Sequence, residues 1–515
     1  MKYIQIPKTI TYENLAQKGS LSPSNYKMVL LKNKNIIPII ELLEEKKGPI
    51  KGKEVGSEAY VNNSPYFFMR TQAISDTNFV LKFNCDSFVP IKKKDFEDAY
   101  KNNSNKLVKA GDIFYVKGGN VGAVGIAYSG LNAIFSSHLF KLMIKEELRY
   151  YVFAFLKNQI SKAQMLNLPI GAIEGLDTFK SEYFERIVIP FPNQANKDEI
   201  IKYVSLLTKA VIRKEAEIKK KYKKIVDLID KELKQNQKPS KFTYNMPLLR
   251  DFEETIRLDV GMFCKDYKEK QFIIENYTRG AKNIFDFGFD FKRGQNLQVS
   301  QIGKSIYTDK YKTNFYKLIR PLNLSDYGIP EKYEYLGNPR KLQTLNKGEI
   351  LFSAEGTIGK FCVFIDIDDR TITNVHGITI FRKEKKDDIE SIFLGLFLGY
   401  LRLKSILDYI SVGGQGGSLA QKYWKYIKIP NFSRSKKEEI AKYYYNPTNH
   451  NEKKLNLINF ENEDVKVTAD SGIWQLDKQI KQIKQKLDTI LHGIIMDEYI
   501  QVSFDFLKIN SHTKG

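Results

Sequence analysis

The chain repeats itself, and a repeat of this length limits the possible folds more than any single residue does. Lys109-Ala110-Gly111-Asp112-Ile113-Phe114 leads through Gly119 and Gly122 into Val124–Tyr128. Asn346-Lys347-Gly348-Glu349-Ile350-Leu351 leads in the same way through Gly356 and Gly359 into Cys362–Ile365. The three glycine pairs all stand 237 residues apart. Tyr183, Phe184, Ile187, Ile189, Pro190, Glu199, Ile200 and Tyr203 fall 240 residues before Tyr423, Trp424, Ile427, Ile429, Pro430, Glu439, Ile440 and Tyr443. Arg70, Ser75 and Asp76 echo Arg320, Ser325 and Asp326 at an offset of 250. Offsets that drift only where loops change length are the trace of a duplicated domain. At 515 residues the chain exceeds what one core supports, so two similar modules with two similar targets are expected.

Each half runs through the same parts. A mixed segment of short alternating runs comes first, at about 26–145 and about 245–385, with Val61–Ile74 and Phe315–Leu322 reading as strands. Apolar helices follow at Glu146–Leu166 and Asp388–Ile410. After them come glycine-containing loops, Pro169–Gly175 and Val412–Gly417, and a strand ending in Ile-Pro, Ile187–Pro192 and Ile427–Pro430. Asn196-x-x-Glu199 and Ser435-x-x-Glu438 then read as capping patterns that open a helix. The expected layout is an N-terminal arm over 1–25, a first domain over 26–195, a central helix over 196–240 and a second domain over 241–434. A C-terminal helical region over 435–500 and a tail over 501–515 complete it. The polar insertion at 446–470, chiefly Pro447–Asp470, has no counterpart in the first half and reads as a surface loop.

The helices that close the halves carry heptad seams. Leu476, Ile480, Ile483, Leu487, Ile490 and Ile494 are spaced 4-3-4-3-4 without a polar break. Val204, Leu207, Val211, Ile218, Ile225 and Leu228 keep the same phase, with Lys214 and Lys221 as flaws. Two seams of this length can bury each other as a coiled-coil pair, or each can pack on its own globular domain.

A formal charge of +22 calls for a polyanionic partner. The longest apolar stretch, Ile392–Leu401, is about half the ~20 residues a spanning helix needs, so nucleic acid is favoured over membrane. The N-terminus lacks the pattern of a signal peptide, and a cytoplasmic chain is expected. Cys85, Cys264 and Cys362 support neither a disulfide framework nor a zinc site.

Catalytic patterns are missing. Neither glycine turn is followed by the Lys-Ser/Thr of a phosphate-cradling loop. The matched His138 and His376 lack a second ligand at local spacing and read as buried or strand-lining. Arg70 and Arg320 fit base or phosphate contacts, with pairing to Asp76 and Asp326 as the alternative. Candidate contacts in the glycine turns, and in the loops before each Ile-Pro strand, are Lys117, Asn120 and Lys180 in the first half. In the second half they are Glu355, Thr357, Lys360, Gln415, Ser418 and Lys422.

The ordered duplication now has a family resemblance. Gly-Asp/Glu-Ile turn, glycine loop, Asn374-Val375-His376 strand, apolar helix, Gly/Ser loop, aromatic-x-x-Ile-x-Ile-Pro and capped heptad helix, twice over, resemble the DNA-specificity subunit of type I restriction–modification systems. The likeness covers about 26–500. It implies an α+β fold of two mixed target-recognition domains, joined with pseudo-two-fold symmetry by two long helices in an antiparallel coiled coil. It also implies double-stranded DNA as ligand, each domain reading half of a bipartite site, and methyltransferase and restriction-translocase subunits as partners. S-adenosylmethionine, ATP and Mg2+ would act in those partners, with no cofactor in this chain. The rival readings are a DNA nuclease or methyltransferase with duplicated binding modules, and a nucleic-acid scaffold without sequence preference.

Overall fold

The computed structural model describes residues 3–18, 21, 26–44, 49–101, 104–165, 179–366, 370–384, 387–413, 417–447 and 454–507. The chain forms two compact units. The first comprises Met1–Glu217, Asn449–Asp470 and Leu476–Gly515; the second comprises Ile218–Thr448 and Ser471–Gln475. Both are mixtures of short strands and helices. The division falls inside the longest helix, Lys197–Gln235, and not at either end of the expected central segment.

The first unit is built on a four-stranded antiparallel sheet in the order Ile50–Lys51, Leu139–Leu142, Ile113–Val116, Val124–Ile126. The second holds Phe289–Arg293, Gly377–Arg382, Ile350–Ser353 and Phe361–Val363 in the same order and sense. Each unit adds a second sheet with a parallel pair, three-stranded with Phe67–Met69 on Ala133–Phe135 in one and four-stranded with Tyr316–Leu318 on Thr371–Ile372 in the other. Each also adds an Ile-Pro strand pairing, Val188–Pro190 with Ile36–Pro38 and Ile429–Pro430 with Ala281–Lys282. All four residues of Ile113–Val116 and of Ile350–Ser353 are buried, as central strands covered on both faces must be.

The Gly-Asp/Glu-Ile signature has a local cause. Gly111 and Gly348 sit at φ +81° and +83°, where a side chain is strained. The carboxylate that follows turns back to accept the backbone N–H three residues earlier, Lys109 to Asp112 at 2.7 Å and Asn346 to Glu349 at 3.0 Å. Phe114 and Phe135 lie in the first core with Met69, Phe88 and Leu139; Leu351, Cys362 and Phe364 lie in the second with Ile319 and Leu324. Burying each phenyl ring contributes roughly 2–3 kcal/mol.

Both expected apolar helices are broken, the first at Asn158 into Arg149–Lys157 and Gln159–Met165, the second at Ser405, φ +56°, into Ile389–Leu403 and Ile406–Ile410. The helix opening at Arg434 is capped by Ser433, which accepts from Lys436 N, and not by Ser435. Pro169–Gly175 lies outside the described residues.

All twelve heptad residues are buried, but they are shared between the units. Val204, Leu207 and Val211 belong to the first, where the C-terminal helix Ile473–Met496 runs antiparallel to them from Leu476 on. Glu215 meets Lys484 at 2.6 Å, while Tyr203, nearer the start of its helix, bonds Ser503 beyond the end of the other. Ile218, Ile225 and Leu228 belong to the second unit. There the same helix packs on globular structure, with Tyr222 edge-on to Tyr327 and Asp230 bonded by Tyr400 and Lys404.

The insertion is not a loop throughout. Phe460–Asp470 is a helix lying along the central helix, Lys209 meeting Glu461, and Arg213 and Lys214 meeting Asp464. Lys214, a flaw in the seam, is 1% exposed, is neutralised by Asp464 at 2.7 Å and donates to Thr468 Oγ1 at 2.9 Å. Among the described residues, no helix is long and apolar enough to cross a membrane.

Candidate nucleic-acid interface

The hairpin between the last two strands of each four-stranded sheet turns through two glycines of positive φ, Gly119 and Gly122 or Gly356 and Gly359. A Cβ at Gly122 would lie 2.5 Å from Met165 Sδ, and one at Gly359 would lie 2.7 Å from Arg402 Cβ. At Gly119 and Gly356 a Cβ would meet nothing within 4 Å, so the turn rises into open space on one glycine and is wedged against a helix on the other.

In the second unit three strands bring charged side chains to one end of the sheet. Arg293 ends its strand, His376 immediately precedes the next, and Glu355 follows the third. Glu355 takes Arg293 Nη1 at 3.1 Å on Oε1 and His376 Nδ1 at 2.7 Å on Oε2. The bond with His376, and after it that with Arg293, holds the Glu355 carboxyl below the usual carboxylate range against some opposing burial. Ser418 bridges to the Glu355 backbone, and Thr357 bonds Ser353 at 3.0 Å, so Glu355, Thr357 and Ser418 come together. Lys360 does not join them. Its side chain is 18% exposed and approaches Asp326 at 3.8 Å, which Arg402 also pairs at 2.8 Å. Lys422 is exposed over the Tyr423 ring, and Gln415 lies outside the described residues.

The first unit presents the same end differently. Lys51 and His138 occupy the places of Arg293 and His376, and Gly118 that of Glu355; a Cβ there would lie 2.9 Å from His138 Nδ1. Lys117 lies over the Phe140 ring, and burial together with the charge of Lys51 lowers its ammonium pKa. Glu54 accepts from Ser136 Oγ at 3.0 Å, and from Ser137 N and Oγ at 3.0 and 2.7 Å. Burial acts to raise the Glu54 carboxyl, but these bonds and His138 outweigh it and hold it low. Asn120 is exposed and bonds Asp76, whose carboxylate Lys162 pairs at 2.7 Å. Lys180 is exposed beside Glu182.

Two sequence expectations are corrected here. His138 and His376 are exposed, because each stands at the solvent end of its strand, one residue before the pairing begins. Arg70 and Arg320 do not pair with Asp76 and Asp326. Arg70 lies over the Tyr60 ring at 5.2 Å and Arg320 bonds Glu334 at 3.0 Å, while the two aspartates take Lys162 and Arg402 from the apolar helices. Sequence reasoning missed Lys51, Glu54 and Arg293, which lie far from the hairpins in sequence. The recurring histidine beside each hairpin was the available signal.

No family model matches the chain, and no curated protein matches it. Solved structures do. The crystal structure of a type I restriction–modification system S subunit from M. genitalium aligns at TM-score 0.39 and 12% identity, over 91% of this chain and 96% of that one. A structure describing complex assembly and conformational transition of the type I R-M system aligns at 0.26 and 10%, over 92% and 100%. The HsdS subunit from Thermoanaerobacter tengcongensis aligns at 0.26 and 10%, over 90% and 97%.

Proposed function

We propose that this chain is the DNA-specificity subunit of a type I restriction–modification complex, without catalytic activity of its own. The observation that supports it most is the same sheet end built twice, each time with a wedged glycine hairpin, a cation and a solvent-facing histidine, in a chain of charge +22. Each unit reads one half of a bipartite double-stranded site. Lys117, Asn120 and Lys180 with Arg70 serve one half; Glu355, Thr357, Gln415, Ser418 and Lys422 with Arg320 serve the other. The segments 26–195 and 241–434 act as the target-recognition domains, and 196–240 with 435–500 as the paired helical region that sets their spacing and docks methyltransferase subunits. Restriction-translocase subunits join that assembly, and S-adenosylmethionine, ATP and Mg2+ act in the partners, in the cytoplasm.

A helix of 39 residues is about 58 Å long at ~1.5 Å per residue, more than one ~34 Å turn of B-DNA. Inserting four residues near Lys219 is therefore expected to lengthen the unread gap by one or two base pairs and leave both half-sites unchanged. Co-expression with the neighbouring methyltransferase genes and genome-wide mapping of methylated adenines measures this. Altered half-sites with an unchanged gap would sink the spacer role, and methylation by the purified chain alone would favour the catalytic rival.

A further inference from the structure

We infer that Arg293 reads a guanine in the half-site of the second unit, with Glu355 and His376 as its positioning residues; this rests on the reading of function above. Arg293 ends an edge strand of the sheet and is 39% exposed. Glu355 holds its guanidinium through Nη1 alone among the described residues, which leaves the Nη2 and Nε edge for a ligand. His376 in turn fixes the other oxygen of Glu355, so the carboxylate cannot swing away without breaking two bonds. Gly294 makes the close approach possible, since a Cβ there would lie 2.0 Å from the Asn374 carbonyl oxygen.

The carboxylate also selects the kind of ligand. A DNA phosphate brought to Arg293 would meet the negative charge of Glu355 about one hydrogen-bond length further on, and that repulsion offsets the attraction of the guanidinium. A guanine edge is neutral and presents two acceptors, O6 and N7, which match two parallel N–H donors. Ordering the arginine in advance removes much of the rotamer entropy that a free side chain would lose on contact. Lys360, which would otherwise draw a phosphate to the hairpin, is turned toward Asp326. The first unit has Lys51 and Gly118 at the corresponding places, so the arginine held by a carboxylate is particular to the second unit.

The test uses the full chain co-expressed with its methyltransferase partner, with methylated adenines mapped across the host genome for the wild type, Arg293→Ala, Arg293→Lys and Glu355→Gln. Arg293→Ala is expected to relax one G·C position in one half-site by about ten-fold or more. Every other position keeps its preference. Glu355→Gln relaxes that same position to a smaller degree, and Arg293→Lys restores part of the preference; a merely structural role would not single out one base. Unchanged preference at all positions, or an equal drop at every site as a phosphate contact gives, overturns the assignment. A wild-type chain that directs no two-part motif overturns the reading of function, and this inference with it.

Discussion

At one end of matching sheets, the first unit places Lys51, His138 and Gly118 where the second places Arg293, His376 and Glu355. The backbone is shared and the chemistry is not. One surface leaves an ammonium group and a histidine beside a bare glycine; the other ties a guanidinium and a histidine to one carboxylate. A duplicated frame can therefore carry two different readers, because the sheet constrains only inward side chains and leaves the strand ends open to change.

The comparison extends inside. The helix closing the first unit is fastened by buried charge: Lys214 on Asp464, and Glu215 on Lys484 and on the backbone N–H groups of Phe79 and Val80. The helix closing the second, Arg434–Tyr444, also holds a buried charge, Lys437 on Glu390 at 2.8 Å, and ends on a tyrosine whose hydroxyl donates to the Gly328 carbonyl at 2.6 Å and accepts from Val363 N at 3.3 Å. Lys157, half-buried in the first unit, donates to the carbonyls of Ser75 and Val124. Its counterpart 240 residues on, the interval that also separates Lys162 from Arg402, is the fully buried Phe397.

The sharpest way to break this comparison is Asp464→Ala. It strands the ammonium of Lys214 in the interior and is expected to destabilise the first unit by about 3–5 kcal/mol, while Lys214→Met with Asp464→Leu stays within about 1 kcal/mol of wild type. Thermal unfolding measures both, and a loss below about 0.5 kcal/mol for the single change would mark the pair as a surface contact.

The hairpins provide a second test. Gly122→Ala and Gly359→Ala combine positive φ with a steric clash and are expected to cost about 2–3 kcal/mol each. Gly119→Ala and Gly356→Ala meet open space and cost about 1 kcal/mol. Equal losses at all four positions, in denaturant titrations, would mean that the wedge against Met165 and Arg402 is not what shapes the turn.

A third test is one of pH. Burial lowers the Lys157 ammonium from 10.5 to about 7 in the folded unit. Between those values the unfolded chain binds more protons, so stability rises with pH across this window and is lost as pH falls toward 7, by at most about 1.4 kcal/mol per pH unit. Lys157→Met removes that dependence. Melting temperatures that shift in parallel for the two proteins from pH 7 to 9.5 would refute the burial of a titrating group there.

Much of the frame was legible in the residues. The Gly-Asp/Glu-Ile turn, the Ile-Pro strand and the apolar helix are each dictated by neighbours a few positions apart, through a positive φ, a back-bonded carboxylate or a 3.6-residue period. Legibility ended where distant segments meet. Lys214 scanned as a defect because its partner Asp464 lies 250 residues away, and 447–470 scanned as a loop because its helix Phe460–Asp470 has few apolar residues to mark a face. The histidines scanned as buried because their neighbours are apolar, although each stands one residue before its strand is paired.

By itself the sequence determined the duplication, the order of the elements and the strongly basic character of the chain, since these depend on local geometry and composition. Only the tertiary structure decided that the heptad residues are divided between two units, that an inserted helix neutralises Lys214, and that Arg293, Glu355 and His376 stand together. Those facts depend on which strand ends and helix faces come within about 3 Å of one another, a distance that folding sets and spacing along the chain does not encode.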